Sequence, residues 1–283
     1  MRLLGGLILA VLTAINEPDT VRVKGARVEN LSWDDYLAKV VEKEAGPGFP
    51  EEALRAQAVV ARTYALHRIA RAQDRGTNFD VEAGTLGQAM SEGPPSAKSQ
   101  NAVEDTRGLV LAVQGRPVEA FFHAACGGRT AEPSDVFHAD SPGLSSVKCS
   151  YCRDRPNYEW RGAVSRKDLA AQARGLGLPG FFGFRFPETD ERGRVLSLRG
   201  TGPGSRPRIP LTVLRRIAGE KKLRSGLFEL VQTGTHVAFE GKGYGHGVGF
   251  CQEGARELAR RGRNFRQILR FYFPKAELMK TDD

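Results

Sequence analysis

Two helical patterns separated by a Gly/Pro turn, within residues 32–69, constrain the fold of this chain more than any other feature. Ser32 stands where a helix cap is expected, and Asp35 follows three residues later, as in a capping box. The apolar residues that follow recur at helical spacing: Tyr36, Leu37, Val40 and Val41. The Gly46-Pro47-Gly48 run then ends this helix, because glycine and proline interrupt helical hydrogen bonding.

The second helical pattern begins at Pro50, which is predicted to lie in the first helical turn. Glu51 and Glu52 complement the positive end of the helix dipole. The apolar positions continue at helical spacing: Ala53, Leu54, Ala58, Ala61, Ala65 and Ile69. Glu44 is therefore predicted at the C-terminal end of one helix and beside the start of the next.

A carboxylate in such a corner is a candidate catalyst. Val40, Val41 and Phe49 would surround Glu44 with apolar surface, which raises the pKa of a carboxyl group and suits it to act as a general acid. Glu42 points elsewhere on the helix. The alternative is that Glu44 is an ordinary surface carboxylate at a helix end.

Five blocks of the sequence resemble, in the same order, the SpoIID/LytB family of bacterial cell-wall proteins. They are Glu51–Ala65, Phe79–Val81 with Gln88, Ala102–Leu111, Ala120–Thr130 and Gly243–Ala255. Together they cover roughly residues 31–274, so the resemblance extends over most of the chain. The turn after Glu44 departs from the family pattern, since Ala-Gly-Pro follows where the family has Met-Pro.

The resemblance implies a lytic transglycosylase that cleaves peptidoglycan glycan strands with a single acid. On this hypothesis the catalytic residue is Glu44, because it matches the family's glutamate before the proline turn. The resemblance also implies residues that contact substrate or shape the cleft: Gln57, Arg62, Thr63, Tyr64, His123, His246 and Gln252. The alternative within the family is a non-catalytic glycan-binding modifier, with roles in sporulation or wall turnover, that stimulates a separate cell-wall amidase.

Short strands and helices follow one another in irregular order. Strands are predicted at 21–23, 27–29 and 160–164, hairpins turning at Gln114-Gly115 and within 190–198, and helices after Ser165, at 211–217 and at 253–261. Because no βαβ rhythm is sustained, the pattern favours the α+β class. We expect a single mixed domain with helices packed on irregular antiparallel sheets and with long surface loops.

The net charge of +9 fits a nucleic acid, an anionic membrane or an acidic polymer such as the bacterial wall. No nucleic-acid-binding module is recognisable, and the basic cluster at 260–263 is most simply a solvated helix end. Nucleic acid is therefore not a predicted partner.

Residues 1–15 form a short apolar run after Arg2, typical of a signal peptide or an N-terminal anchor. The cleavage signal is weak, because Leu12 rather than a small residue lies two positions before Ala14, and a buried first strand is an alternative. We expect export to the periplasm or cell envelope of a bacterium, with contact to a membrane only through this segment. A SpoIID/LytB-like domain is predicted at 21–274 and a C-terminal tail at 275–283.

Three cysteines and a histidine have the spacing of a zinc site. His123-x-x-Cys126 is followed by Cys149-x-x-Cys152, and two such pairs can supply the four ligands of a tetrahedral structural zinc ion. In an oxidising compartment, a disulfide from Cys126 to Cys149 or Cys152 is the alternative. Metal is favoured because a disulfide has no use for His123 and leaves one thiol unpaired. Cys251 is predicted to be a small buried hydrophobic residue.

Alternating glycines surround His246 within residues 241–249. They allow close backbone approach or positive φ angles, but the spacing of a phosphate-binding loop is absent. His246 is either a catalytic or glycan-contacting side chain or a buried imidazole whose hydrogen bonds are satisfied.

Overall fold

The structure is a computed structural model that describes residues 16–84, 88–137, 139–156, 158–178, 183–202 and 207–281. Its helices are α1 (Trp33–Glu44), α2 (Glu51–Asp74), α3 (Ala97–Glu104), α4 (Pro133–Phe137), α5 (Arg166–Gly175), α6 (Leu211–Ala218), α7 (Gln252–Arg260) and α8 (Phe265–Tyr272). The first strands are β1 (Thr20–Lys24), β2 (Val28–Ser32), β3 (Val81–Glu82), β4 (Leu109–Val113), β5 (Arg116–Pro117), β6 (Phe122–His123) and β7 (Glu159–Ser165). The later strands are β8 (Gly183–Thr189), β9 (Val195–Thr201), β10 (Arg208–Pro210), β11 (Leu227–Gln232), β12 (His236–Lys242), β13 (Phe250–Cys251) and β14 (Glu277–Lys280).

The strands form several small sheets, which confirms the α+β prediction. Their orders are β2-β1-β3, β14-β4-β5, β13-β6, β11-β12-β7 and β10-β9-β8. Most neighbours are antiparallel, as predicted, but β1 with β3 and β6 with β13 are parallel. Both parallel pairs join segments far apart in the chain, because parallel strands require a long crossover connection.

The predicted turn between two helices is present, and it joins α1 to α2. Ser32 caps α1 by accepting a hydrogen bond from the backbone N–H of Asp35 at 3.3 Å. Gly46 has a φ of 76°, which favours glycine and turns the chain away from α1. Pro50 is the N-cap of α2, one position before the first helical turn in which it was predicted. Glu44 is thus the last residue of α1.

Helix α2 is buried on most of its sides. Val59 and Val60 pack into one apolar cluster, whereas Leu54 and Ala58 pack into a second cluster with α1. A helix that is apolar around its circumference lies in the interior of a protein. A third apolar cluster is built entirely from residues 160–239. Helix α2 therefore lies between the first two apolar clusters and contributes residues to both.

The predicted hairpins are also confirmed. Gln114 and Gly115 join β4 to β5 with φ angles of 51° and 73°, as a tight two-residue hairpin turn requires. The second hairpin pairs β8 with β9.

The structure describes only part of the chain for which domain limits were predicted. The segment 1–15, predicted as a signal peptide or anchor, lies outside the described residues, and the domain 21–274 stays a prediction. The predicted tail at 275–283 requires a correction, because Glu277–Lys280 form β14, which pairs antiparallel with β4. Apolar Leu278 and Met279 pack against the two clusters that contact α2 and thereby tie this segment to the fold. In the part of the chain described here, no helix combines the length and apolar character needed to cross a membrane.

Candidate active site around Glu44

The Glu44 carboxylate is held by two donors from distant parts of the chain. Its Oε1 accepts a hydrogen bond from the backbone N–H of Ala89 at 3.0 Å, and its Oε2 accepts one from Gln252 Nε2 at 3.4 Å. The residue is partly exposed. The carboxyl group is therefore fixed in position and still accessible to solvent.

Burial raises the pKa of Glu44 above its ordinary value, while the hydrogen bonds from Ala89 and Gln252 and the charge of Lys43 act in the opposite direction. The position at the end of α1 also disfavours the anion, because the C-terminal end of a helix carries partial negative charge. A carboxyl group of this kind retains its proton to higher pH than a free glutamate and can act as an acid.

Glu42, two residues earlier on the same helix, has a different environment. Its Oε2 accepts hydrogen bonds from the backbone N–H of Ser96 at 3.1 Å, from the Ser96 hydroxyl at 2.6 Å and from the Ser99 hydroxyl at 2.8 Å. Burial acts to raise the pKa of Glu42, but these hydrogen bonds outweigh it and lower the pKa below its ordinary value. Glu42 is thus an ionised anchor at the start of α3, and it points away from Glu44, as predicted.

Replacing Glu42 by glutamine is expected to lower the free energy of unfolding by about 1 kcal/mol at neutral pH, because charge-assisted hydrogen bonds become neutral ones. Since the native pKa is lowered, the stabilisation by the wild-type carboxylate is present above the ordinary value of 4.5 and is lost as pH falls through the native value. Urea unfolding of both proteins across this pH range measures the difference. A difference that does not change with pH would show that the charge of Glu42 is not responsible.

Gln57 and Gln252 lie next to the catalytic candidate, as the family resemblance implies. Gln57 is buried on α2, and its Oε1 accepts a hydrogen bond from Gln252 Nε2 at 3.4 Å. Gln252 is the first residue of α7 and shares its amide between Gln57 and Glu44. Among the described residues, Gln57 Nε2 has no hydrogen-bond partner. Two amides from α2 and α7 therefore adjoin the carboxylate.

One group near Glu44 was not assigned a role from the sequence. Gln88 is buried, accepts a hydrogen bond from the Tyr36 hydroxyl at 2.8 Å and donates one to the carbonyl of Ala61 at 3.3 Å. These bonds fix the segment that carries the Ala89 N–H against α1 and α2. Gln88 lies in one of the family-like blocks, and that membership was the signal by which it could have been found.

Arg62 and Thr63 require a correction, because they lie in the core and not on a substrate-contacting surface. Both are fully buried. Arg62 donates hydrogen bonds to the carbonyls of Val103 at 3.0 Å and Thr106 at 2.8 Å. Thr63 accepts one from the backbone N–H of Leu111 at 3.0 Å. They stabilise the site indirectly, because their hydrogen bonds join α2 to α3 and β4.

Tyr64 is a buried residue of α2 that packs against a group of aromatic rings. The ring of Tyr64 contacts Phe121 and Phe122, with centroids 5.8 and 6.3 Å apart. We call Tyr64, Phe121, Phe122, Phe137 and His246 the aromatic cluster.

Phe137 gives the aromatic cluster an exposed face. Its ring stacks on Phe121 with centroids 4.5 Å apart and lies 5.4 Å from the ring of His246. The residue is 36% exposed. The cluster thus presents an aromatic surface to solvent.

His246 satisfies both of its ring nitrogens within the protein. Nε2 lies 2.9 Å from the carbonyl of Phe122, to which it donates, and Nδ1 accepts the backbone N–H of Val248 at 3.0 Å. Burial lowers the pKa of His246 to about 4, so the imidazole is neutral at neutral pH. Of the two alternatives for His246, this geometry matches the buried imidazole whose hydrogen bonds are satisfied.

The glycines around His246 adopt positive φ angles, as the sequence predicted. Gly249, with φ 73°, lies so close to Phe121 that an added Cβ would be 2.2 Å from its carbonyl oxygen. Gly245, with φ 104°, would place a Cβ 2.8 Å from the Cβ of His123. The loop therefore packs against β6 and its neighbours and is not shaped as an open phosphate cradle.

The predicted metal ligands are only partly brought together. The sulfur atoms of Cys126, Cys149 and Cys152 form a group with that of Cys251, in which all four lie within 4.8 Å of one another. His123 is outside this group. Its Nδ1 is 3.0 Å from the carbonyl of Val248, and burial lowers the pKa of the ring. The correction is that Cys251, not His123, is the fourth member. The sequence signal that could have identified Cys251 is the cysteine count, because four cysteines can supply all four ligands of a tetrahedral site.

The chain is similar to a known protein family and to several bacterial proteins. A family model described as Stage II sporulation protein (SpoIID) matches residues 22–112. Stage II sporulation protein D of Bacillus subtilis is 26% identical over 284 residues, which cover 92% of this chain and 78% of the relative. The amidase enhancer of Bacillus subtilis is 26% identical over 292 residues, covering 86% of this chain but only 40% of the relative. An uncharacterised protein of Brachyspira hyodysenteriae is 29% identical over 264 residues, covering 89% of this chain and 68% of the relative.

Proposed function

The chain belongs to the SpoIID/LytB family, and on that premise we propose that it is an exported lytic transglycosylase that cleaves the glycan strands of peptidoglycan. One observation carries the proposal. Glu44 is a partly exposed carboxyl group whose pKa is raised by burial and whose oxygens are fixed by Ala89 and Gln252. A group with these properties can deliver a proton to a substrate oxygen.

The proton of Glu44 passes to the glycosidic oxygen as the bond to the anomeric carbon breaks. A hydroxyl of the same sugar then closes on the anomeric carbon and returns its proton to the Glu44 carboxylate. No water is consumed, and the carboxyl group ends the cycle in its starting state. The hydrogen bonds from Ala89 and Gln252 stabilise the anion that exists between the two proton transfers.

The surroundings of Glu44 favour this single-acid reaction over ordinary hydrolysis. A glycosidase of the usual kind needs a second carboxylate about 5–9.5 Å from the first. Among the described residues, the two groups that donate hydrogen bonds to the Glu44 carboxylate are the Ala89 N–H and the Gln252 amide, and neither is a carboxyl group. Glu42, the nearest acidic residue on α1, is engaged at the start of α3.

Charge and aromatic surface fit the same substrate. The net charge of +9 favours an acidic polymer such as the bacterial wall, and the exposed ring of Phe137 offers a flat apolar face of the kind on which sugar rings pack. The proposal includes export to the periplasm or cell envelope, where that polymer is found.

A non-catalytic role is the second candidate. One relative is named amidase enhancer, which favours a chain that binds glycan strands and stimulates a cell-wall amidase. The residues around Glu44 would then contact a sugar without cleaving it.

The products formed from purified glycan strands in ¹⁸O-labelled water distinguish these functions. We expect strands cleaved to fragments that are lighter than hydrolysis products by one water molecule and contain no ¹⁸O, because the sugar's own hydroxyl closes the ring. Mass spectrometry measures both properties. Incorporation of ¹⁸O would contradict the lytic mechanism. Absence of fragments, from strands with and without stem peptides, together with faster turnover by an added amidase, would establish the second candidate instead.

A further inference from the structure

We propose that Cys126, Cys149, Cys152 and Cys251 bind one zinc ion in a closed tetrahedral site that fixes the start of α7. The four residues come from three places in the chain: the loop after β6, the turn at 149–152 and the end of β13. They are brought together only by the fold, and this inference does not depend on the proposed activity.

The distances between the sulfur atoms fit a single zinc ion. A Zn–S bond of about 2.3 Å places the sulfur atoms of a regular tetrahedron about 3.8 Å apart. Cys126 Sγ and Cys152 Sγ are 3.5 Å apart, and all four sulfur atoms lie within 4.8 Å of one another. These distances bracket the value expected for a tetrahedral zinc site.

The surroundings of the sulfur atoms suit thiolates that bind a metal. All four cysteines are at most 1% exposed. The backbone N–H of Cys126 donates to Cys251 Sγ at 3.3 Å, and the Tyr272 hydroxyl lies 3.2 Å from Cys149 Sγ. Donors of this kind stabilise metal-bound thiolates and orient them. Four sulfur ligands leave no open position for water, so the site is structural and not catalytic.

Glycines allow the protein to close around the group. Gly254, on α7, would place an added Cβ 2.1 Å from the Tyr272 hydroxyl and 2.9 Å from Cys149 Sγ. Gly127, with a φ of 78°, lets the chain turn directly after Cys126. A larger side chain at Gly254 would therefore clash with Cys149 Sγ, and one at Gly127 would clash with Leu227.

Two other uses of the cysteines explain the geometry less well. Two disulfides would require the sulfur atoms to approach in two separate pairs, whereas here all four lie within 4.8 Å of one another. An iron–sulfur cluster distributes its cysteines over different iron atoms, which separates the sulfur atoms more widely than a single ion does. A mononuclear zinc site satisfies all four sulfur atoms at once.

The site also has a consequence for Glu44. Cys251 immediately precedes Gln252, whose amide donates to Glu44 and Gln57. A metal–sulfur bond at Cys251 would hold the first turn of α7 in place and with it this amide. A zinc ion at this site would thus help to position the Gln252 amide, which lies 208 residues along the chain from Glu44.

Metal analysis of the purified full chain, dialysed against a weak chelator without reductant, tests the proposal. We expect about one zinc per chain in the wild type and in His123→Asn, and loss of zinc in Cys251→Ser. His123→Asn is the control that separates the four-cysteine site from the Cys₃His set suggested by the sequence. Zinc retained by Cys251→Ser and lost by His123→Asn would overturn the proposal.

A measurement on the wild type covers the case in which a cysteine variant does not fold. Titration with an organomercurial reagent is expected to release the zinc as four thiols react, and strong chelation is expected to lower the unfolding temperature by several degrees. Metal-free protein with fewer than four free thiols after denaturation would indicate disulfides and overturn the site. Chelation that stops glycan cleavage without lowering the unfolding temperature would overturn the structural role.

Discussion

Replacing Glu44 by glutamine is expected to lower the rate of glycan-strand cleavage about 10²- to 10⁴-fold, the usual contribution of a general acid. Glutamine has nearly the shape of glutamate and can still accept the Ala89 N–H, but it has no proton to give. Binding of glycan strands should be retained. Initial rates from fragment analysis and a separate pull-down with insoluble peptidoglycan measure the two properties.

Glu42→Gln is the matched control, because it makes the same change two positions earlier on α1, in a residue that accepts hydrogen bonds from Ser96, the N-cap of α3. It should lose some stability and keep its cleavage rate at a temperature where it is folded. Equal loss of cleavage in both variants would indicate damage to α1 and contradict the assignment of Glu44.

The stability of Glu44→Gln provides an independent check. Because the native pKa of Glu44 is raised, folding favours the protonated form, and wild-type stability falls as pH rises from the ordinary value of 4.5 through the native value. The variant lacks this decline. The difference in free energy of unfolding, variant minus wild type, should therefore increase as pH rises across that interval and remain constant at higher pH.

Replacing Arg62 by methionine is expected to lower the free energy of unfolding by about 3–5 kcal/mol, the range seen when one partner of a buried ion pair is removed. Arg62 Nε lies 3.0 Å from Glu17 Oε1, and its other nitrogens bind the carbonyls of Val103 and Thr106. Methionine fills part of the volume but leaves these acceptors unpaired. The unfolding temperature should fall by roughly 10 °C, as thermal melting followed by circular dichroism would record.

Arg107→Met is the control for Arg62→Met. Arg107 also pairs with a carboxylate, that of Asp34 at 2.7 Å, but its side chain is 63% exposed and its partner's is 44% exposed. Exposed pairs contribute about 1 kcal/mol or less. A similar loss in both variants would show that burial of Arg62 is not the source of the effect.

The α1–α2 corner was predictable because its signals are local. The Ser32 cap, the positive φ at Gly46 and the proline at the start of α2 each depend on residues a few positions away. The Gln114-Gly115 hairpin follows the same rule. The strand at Glu277–Lys280 was missed, because its formation depends on β4, more than 160 residues earlier.

The sequence by itself predicted the class of fold, the resemblance to the SpoIID/LytB family and Glu44 as the catalytic candidate, since these follow from helix signals and from blocks in a fixed order. Only the tertiary structure decided that Ala89 and Gln252 hold Glu44, that Arg62 and Thr63 are core residues, and that Cys251 replaces His123 beside the other cysteines. The physical reason is separation along the chain. Periodicity and capping report contacts within one or two helical turns, whereas Gln252 reaches Glu44 across 208 residues and Cys126 reaches Cys251 across 125.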